Sequence, residues 1–451
     1  MSRKTSVPSR SKTTLDSVEG NLMIGRRAVI DGTGTPPTVK VSGTIYCEGD
    51  NTFECNVSAE NLEAEDNVTI HGNLEIENDV KVEDGHLEVH GKMTAKRVDV
   101  DAVLYVSNDL TVEKVDVGGS LKVDGNVKAE DIDAGGSFKA QGEVEAENVD
   151  VGGSVSIESK VNITKLDVGG TAKVGAGECT CTCKICEVDV GGCFESKDPL
   201  EFEKINVGGV VRLADKNKGG DVDVGGSFKV EGDLKFKDIN VGGKVEITGS
   251  CEGCEMDVGG IVEVGKSLNL SGNLDVGGKV RVNEEISAKN IEVGGVLRSR
   301  KATAEECIDV GGSIISVEGV TARCVEIGRR GKVRGPIKAD QVIIGRDAHV
   351  EDIYGKQVLL RRGAQAENVY GENITIESNC HICGEVQYTG ELRMNEHVTL
   401  AKEPQKVDAY KPTPSQARAA PTGEMHCPYC GTENKSDAIF CKKCGKKIPE
   451  E

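Results

Sequence analysis

From Val98 onward, apolar and polar residues alternate in short bursts, and small turn residues separate the bursts. Val115 and Val117 flank Asp116, and Gly118-Gly119 follows. Leu121 and Val123 flank Lys122, and Asp124-Gly125-Asn126 follows. Val127 and Ala129 flank Lys128 before Glu130-Asp131 leads into Ile132 and Ala134. Alternation with period two places one set of side chains on one face of a strand, and Gly, Asn and Asp mark turns. Each unit of the pattern therefore predicts three short strands and three turns.

The unit repeats. The first glycines of the Gly-Gly pairs stand at 118, 135, 152, 169, 191, 208, 225, 242, 259, 277, 294 and 311. Nearly every step is 17 residues, with one of 22 and one of 18. A fixed period of this length predicts a solenoid, in which each strand pairs in parallel with its copy one coil on, about 4.8 Å away. Upstream, Val98-Asp99-Val100 keeps the period. Downstream, Val325, Val342, Val358 and Ile374 carry it on, and "LMIGRR" at Leu22 echoes "VEIGRR" at Val325. The expected solenoid spans 20–397, about 22 coils and a rod of about 100 Å at the usual strand spacing. Residues 1–19 are expected to be a disordered tail, 398–426 a flexible linker with Pro404, Pro412, Pro414 and Pro421, and 427–448 a separate small module.

A narrow coil has room inside for Val, Ile, Leu, Ala and an occasional Phe. Phe138, Val155, Phe228 and Val245 fall on inward positions, and the absence of Trp fits so thin a core. The glycine pairs, Gly118-Gly119, Gly152-Gly153 and Gly225-Gly226 among them, are expected at structural corners. There a missing Cβ permits positive φ and avoids a clash with the neighbouring coil.

Three rows of charge repeat with the coils. Asp precedes the first glycine by two residues at 116, 133, 150, 167, 189, 223, 257, 275 and 309, with Asn206, Asn240 and Glu292 at the other pairs. This row reads as local capping, the side chain accepting from the backbone two residues on, in preference to a cation-binding stripe. The centre of the next strand is often basic (Lys122, Lys139, Lys173, Arg212, Lys229, Arg281, Arg298) but acidic at Glu195, Glu246 and Glu263, and reads as a solvated face. Residues 323–362 hold ten Lys or Arg against five acids. That basic end, with Arg329, Arg330, Arg346, Arg361 and Arg362, suits contact between copies or an anion, or simply marks arginine-bearing corners.

The strongest chemical signal is "CPYCGTENKSDAIFCKKCGKKI". Cys427-x2-Cys430 and Cys441-x2-Cys444 form two knuckles, and four thiolates suit a closed tetrahedral Zn²⁺ site of structural type. So short a segment cannot bury enough apolar surface to fold without its metal. It is similar to a zinc ribbon, a module that recruits protein or nucleic acid, and Lys442, Lys443, Lys446 and Lys447 make it basic. A second candidate metal set, Cys179, Cys181, Cys183 and Cys186, fills the 22-residue step, where the alternative is small core residues and a bulged corner. Cys251 and Cys254, like Cys380 and Cys383, form single pairs. Cys307 and Cys324 are 17 apart and should stack.

The net charge of −20 argues against general nucleic-acid binding. No apolar run approaches the about 20 residues of a membrane-spanning helix, and the N-terminus lacks the apolar core of a signal peptide. Seventeen Cys in a chain read as intracellular suggest thiols and metal ligands rather than disulfides. Short, uniform turns and seven scattered His offer no catalytic constellation or small-molecule site, and "VGGS" lacks the lysine of a phosphate loop.

The Val-x-Val-Gly-Gly coils, with "IKADQVIIGRDAHVEDIYGKQVLLRRGAQAENVYGENITIESNCHICGEVQY", resemble bactofilins, polymer-forming cytoskeletal proteins. The resemblance implies a right-handed parallel β-helix and cytoplasmic, nucleotide-independent filaments built end to end from copies of one chain, which scaffold other proteins. The alternative is a monomeric β-helix whose ribbon contacts protein or nucleic acid. The chain is much longer than a typical bactofilin domain, and the ribbon is an addition. Several members carry a short apolar membrane-targeting segment. Residues 1–14 instead hold Arg3, Lys4, Arg10 and Lys12, which leaves weak contact with anionic lipid as the membrane option.

Overall fold

A computed structural model describes residues 4–177 and 182–409, and, of the C-terminal segment, 424–430, 432–435, 441, 443 and 448. The chain divides into two compact units, Met1–Ala214 and Asp215–Glu451. Both are all-β, with no helix among the described residues, and both contain the coils of a parallel β-solenoid.

The coil at Lys114 shows how the pattern becomes structure. Its strands are Lys114–Val117, Ser120–Val123 and Val127–Lys128, and the next coil begins with Asp131–Ala134. Each pairs in parallel with its copy 17 residues on: Val115 with Ile132, Leu121 with Phe138, Val127 with Val144. Register is strict because a slip of one residue would turn every valine outward. Val115, Val117, Leu121, Val123 and Val127 are buried, and the residues between them face solvent.

The core is a stack of identical slots. The slot of Leu121 is filled in later coils by Phe138, Val155, Ala172, Phe194 and Val211. Phe138 and Phe194 are fully buried, with smaller side chains on the rungs between them. In the second unit Phe228 begins a comparable column followed by Val245, Val262, Val280 and Leu297. Large rings fit only where the neighbouring rungs are smaller, which limits aromatics in so narrow a core.

The Gly-Gly corners correct half of their expected role. None of these glycines has a positive φ among the described residues. Their reason is close approach. A Cβ on Gly118 would lie 2.3 Å from the Asp101 carbonyl oxygen, and one on Gly119 would lie 2.3 Å from that of Ala102. Gly152 and Gly153 meet the carbonyls of Gly135 and Gly136 at 2.4 and 2.2 Å. Gly225 and Gly226 lie beneath Gly242 and Gly243 in the same way, at 2.6 and 2.3 Å. Positive φ appears at this same corner only in coils where longer "IGRR" and "IGRD" turns replace the glycine pair, at Arg27 (φ 59°), Arg330 (φ 58°) and Asp347 (φ 57°).

The predicted boundaries move outward at both ends. Residues 4–19 are not a disordered tail: Lys4–Val7, Lys12–Leu15 and Ser17–Val18 form a first coil that pairs with Asn21–Ile24, Val29–Gly32 and Thr38–Val41. Among the described residues this coil has one neighbour, so its inward set can include Thr5 and Thr13, and the apolar signal fades. At the other end, strands continue through Thr399–Leu400 and Gln405–Lys406, past the expected limit at 397. Most of the expected linker, 410–423, lies outside the described residues.

Candidate metal centre and surface ladders

In the C-terminal segment, Glu424–His426 and Glu433–Lys435 pair as an antiparallel hairpin. The Cys427 amide donates to the Thr432 carbonyl at 2.9 Å and closes the first knuckle. This turn brings Cys427 and Cys430 together, and Cys441 returns to them from the chain beyond. The three Sγ atoms all lie within 4.8 Å of one another, Cys430 and Cys441 at 3.5 Å. A tetrahedral thiolate site with bonds near 2.3 Å places its sulfurs about 3.8 Å apart, so the donor set fits a metal. Cys444, the expected fourth ligand, lies outside the described residues.

The surroundings favour a thiolate. Lys443 donates its amide to Cys441 Sγ at 3.4 Å, and Asn434 donates Nδ2 to the same sulfur at 3.6 Å. Asn434 is itself buried and held by a 2.7 Å bond to the Thr432 carbonyl. Donors of this kind orient a ligand and stabilise its negative charge. Cys427, Cys441 and Ile448 together make a small buried cluster, a core too small to hold the segment without a metal.

Of the second cysteine set, the two described members do not face one another. Cys183 is buried in the core, in the column of Leu200, whereas Cys186 is half-buried and looks out at a corner. Alternation along the strand sends their side chains different ways. Cys179 and Cys181 lie outside the described residues. Cys251 occupies the inward position expected of it, and Cys307 pairs with Cys324 across neighbouring coils. No disulfide links the described cysteines.

The aspartate row does not cap its own turn. The first glycine's amide is already committed to the coil below: Gly135 donates to the Val117 carbonyl at 2.9 Å, and Gly152 to that of Ala134 at 3.0 Å. With its donor used by the ladder, Asp133 has nothing local to accept from. Capping by Asp and Asn occurs instead at the second corner, and it reaches across coils. Asp109 Oδ1 accepts from the Asn126 amide, and Asn126 Oδ1 accepts from the Glu143 amide, each 17 residues on. Asn56, Asn73, Asp215 and Asp233 do the same. The recurrence of Asp and Asn in that corner was the available signal.

Asp99, Asp116, Asp133, Asp150, Asp167 and Asp189 thus stand in register on six successive coils. Partial burial, then the neighbouring carboxylates, raises the acids of Asp133 and Asp167 above the usual range. The row on the following strand behaves differently. In the first unit Lys173 pairs with Glu195 at 3.5 Å. In the second, Lys244 pairs with Glu246 at 2.8 Å and with the buried Glu263 at 2.6 Å. That row pairs internally at these positions, but it is not solvated throughout as expected: Glu263 and Arg281 are buried.

The described chain is therefore a β-solenoid protein that carries a cysteine knuckle site. Residues 423–448 match the family model of a zinc-ribbon domain. No curated protein and no solved structure matches the chain.

Proposed function

We propose that this protein is a structural scaffold, bactofilin-like, whose copies join end to end into filaments without nucleotide and present a Zn²⁺-stabilised ribbon to a partner. The observation that carries this reading is the state of the terminal coils. Among the described residues, Lys4–Val7 and Lys12–Leu15 are bonded on one side only, to the coil that follows. Leu392–Met394, Thr399–Leu400 and Gln405–Lys406 are bonded, among the described residues, only to the coil before. No helix covers either set among the described residues. An open strand edge is a template for another strand, and two such edges on one chain support a polymer.

Zinc is the metal that a closed all-thiolate ribbon selects. At the knuckle, Tyr429 is 56% exposed beside Cys430, and an exposed aromatic on a metal-rigidified turn supports partner recruitment. A reducing cytoplasm accords with the unbridged cysteines. Electron microscopy of the purified full chain tests the central proposal. Filaments with a uniform axial repeat are expected, and monodisperse single particles across salt and pH would overturn it.

A further inference from the structure

Two single-sign rows remain that pairing within the chain does not neutralise. The first is the aspartate ladder from Asp99 to Asp189. None of its six carboxylates has an ion-pair partner among the described residues. The second lies at the positive-φ corners of the second unit. Ile327, Ile344 and Leu360 are in register on successive coils, so Arg329, Arg346 and Arg362, each two residues later, also follow one another at one-coil steps. All three are exposed. Arg329 reaches Asp347 only at 3.9 Å, and Arg346 and Arg362 have no ion-pair partner among the described residues. Arg330 and Arg361 flank the row.

Both rows are built on the same parallel pairing, so both repeat at the same spacing, about 4.8 Å. Charges of opposite sign at equal intervals can meet rung for rung, which a flexible polyanion or a single small anion would not exploit. We propose that the Arg329-Arg346-Arg362 row of one molecule docks on the Asp116-Asp133-Asp150 part of the ladder of a second copy, and so joins the molecules side by side. Each pair is weak and screened by salt, but pairs repeated along two aligned molecules act together. The Asp ladder gains most from such contact, because its carboxylates already repel one another and Asp133 is partly desolvated. This lateral contact does not depend on end-to-end assembly.

The test uses the full chain and a charge exchange. One variant carries Arg329→Glu, Arg346→Glu and Arg362→Glu. The other carries Asp116→Lys, Asp133→Lys and Asp150→Lys, and the ladder position already accepts Lys81 in register with Asp99. Circular dichroism and melting confirm that both fold. Sedimentation velocity at about 50 and about 500 mM NaCl reads association, and microscopy separates filament width from filament length. The wild type should associate laterally at low salt and lose this at high salt. Each variant alone should associate at least about tenfold more weakly, and an equimolar mixture should recover the contact. Short but paired particles would leave this proposal standing while ending the filament reading. A mixture that stays as dissociated as its parts overturns it. So does an Arg variant that changes only binding to phosphatidylserine vesicles, which would make an anionic membrane the partner.

Discussion

The carbonyl oxygen of Gly135 occupies the space of a Cβ on Gly152, only 2.4 Å from where that atom would stand. The obstacle is backbone, so no rotamer change relieves it. Gly152→Ala is expected to lower stability by about 1–3 kcal/mol, the range for forced overpacking. Urea unfolding would measure it. Gly177→Ala is a useful contrast: its nearest neighbour is a side-chain atom at 3.6 Å, and its cost comes from φ +77° rather than from packing.

Asp133 supplies the opposite expectation. If it capped its turn, removing the carboxylate would cost about 1 kcal/mol. It stands instead between Asp116 and Asp150, and its raised pKa reflects burial first and those neighbours second. Asp133→Ala should change stability by less than about 0.5 kcal/mol. Asn126→Ala, which removes the acceptor for the Glu143 amide, should cost more. Thermal melts of the two variants side by side decide the assignment.

The open edge of the first coil can be blocked without touching its core. Val7 and Ser11 turn their carbonyls toward the second coil, accepting from Gly25 and Val29. Backbone groups alternate along a strand, so the amides of Ser6 and Thr14 point to the unpaired side. Ser6→Pro with Thr14→Pro removes two donors that a neighbouring copy would need, at positions where edge strands tolerate proline. Filament length should fall sharply while the melting temperature stays within a few degrees. Unchanged filaments would mean that growth does not use this edge.

Metal content should follow the knuckle residues. Purified protein is expected to hold one Zn²⁺ per chain by elemental analysis, and Cys441→Ser should abolish it, because that sulfur collects both the Lys443 and Asn434 donors. Asn434→Ala should weaken retention by about tenfold, as loss of a ligand-orienting partner does elsewhere. Cys183→Ser should leave the metal content unchanged. Heat stability of the coils should not respond to chelator.

Alkaline pH should loosen the solenoid through its buried acids. Burial pushes the Cys47 thiol up to about 12 and raises that of Cys251 still further, from an ordinary value of 9.0. Desolvation holds Tyr354 up to about 12 as well. In the unfolded chain these groups ionise first, so the stability they support is whole below pH 9 and is lost as pH rises from there through about 12. Alkylation at pH 8 should reach Cys307 and Cys383 in the native protein, and Cys47 and Cys251 only after denaturant.

The middle of the fold was readable because one corner demands glycine at every coil. A steric rule applied coil after coil leaves a visible period. The first coils obey a different rule. Their corners use Gly25-Arg26-Arg27 and asparagines, and Leu22 meets Ile45 at a step of 23 residues instead of 17. No linear period survives that. The cysteine ligands were legible because chelation fixes their spacing along the chain. Asn434 was not, because its role depends on a hairpin that folds it back onto Cys441. The aspartate row was visible but misassigned, since the sequence does not reveal that the coil below has already taken the glycine amide.

The 22-residue step shows what this architecture tolerates. Between the strands Thr171–Val174 and Cys183–Val190 the connection is eight residues, where one coil earlier Glu158, Ser159 and Lys160 suffice. Yet Ile163 still meets Ile185, and Val174 still meets Ser196, as though nothing had been added. Lengthening a surface turn costs little, about 0.6 kcal/mol per doubling. This turn is accordingly a natural splice site. A peptide tag, an enzyme or a fluorophore genetically inserted after Gly177 would ride on the coils at a known rung without disturbing the strands on either side.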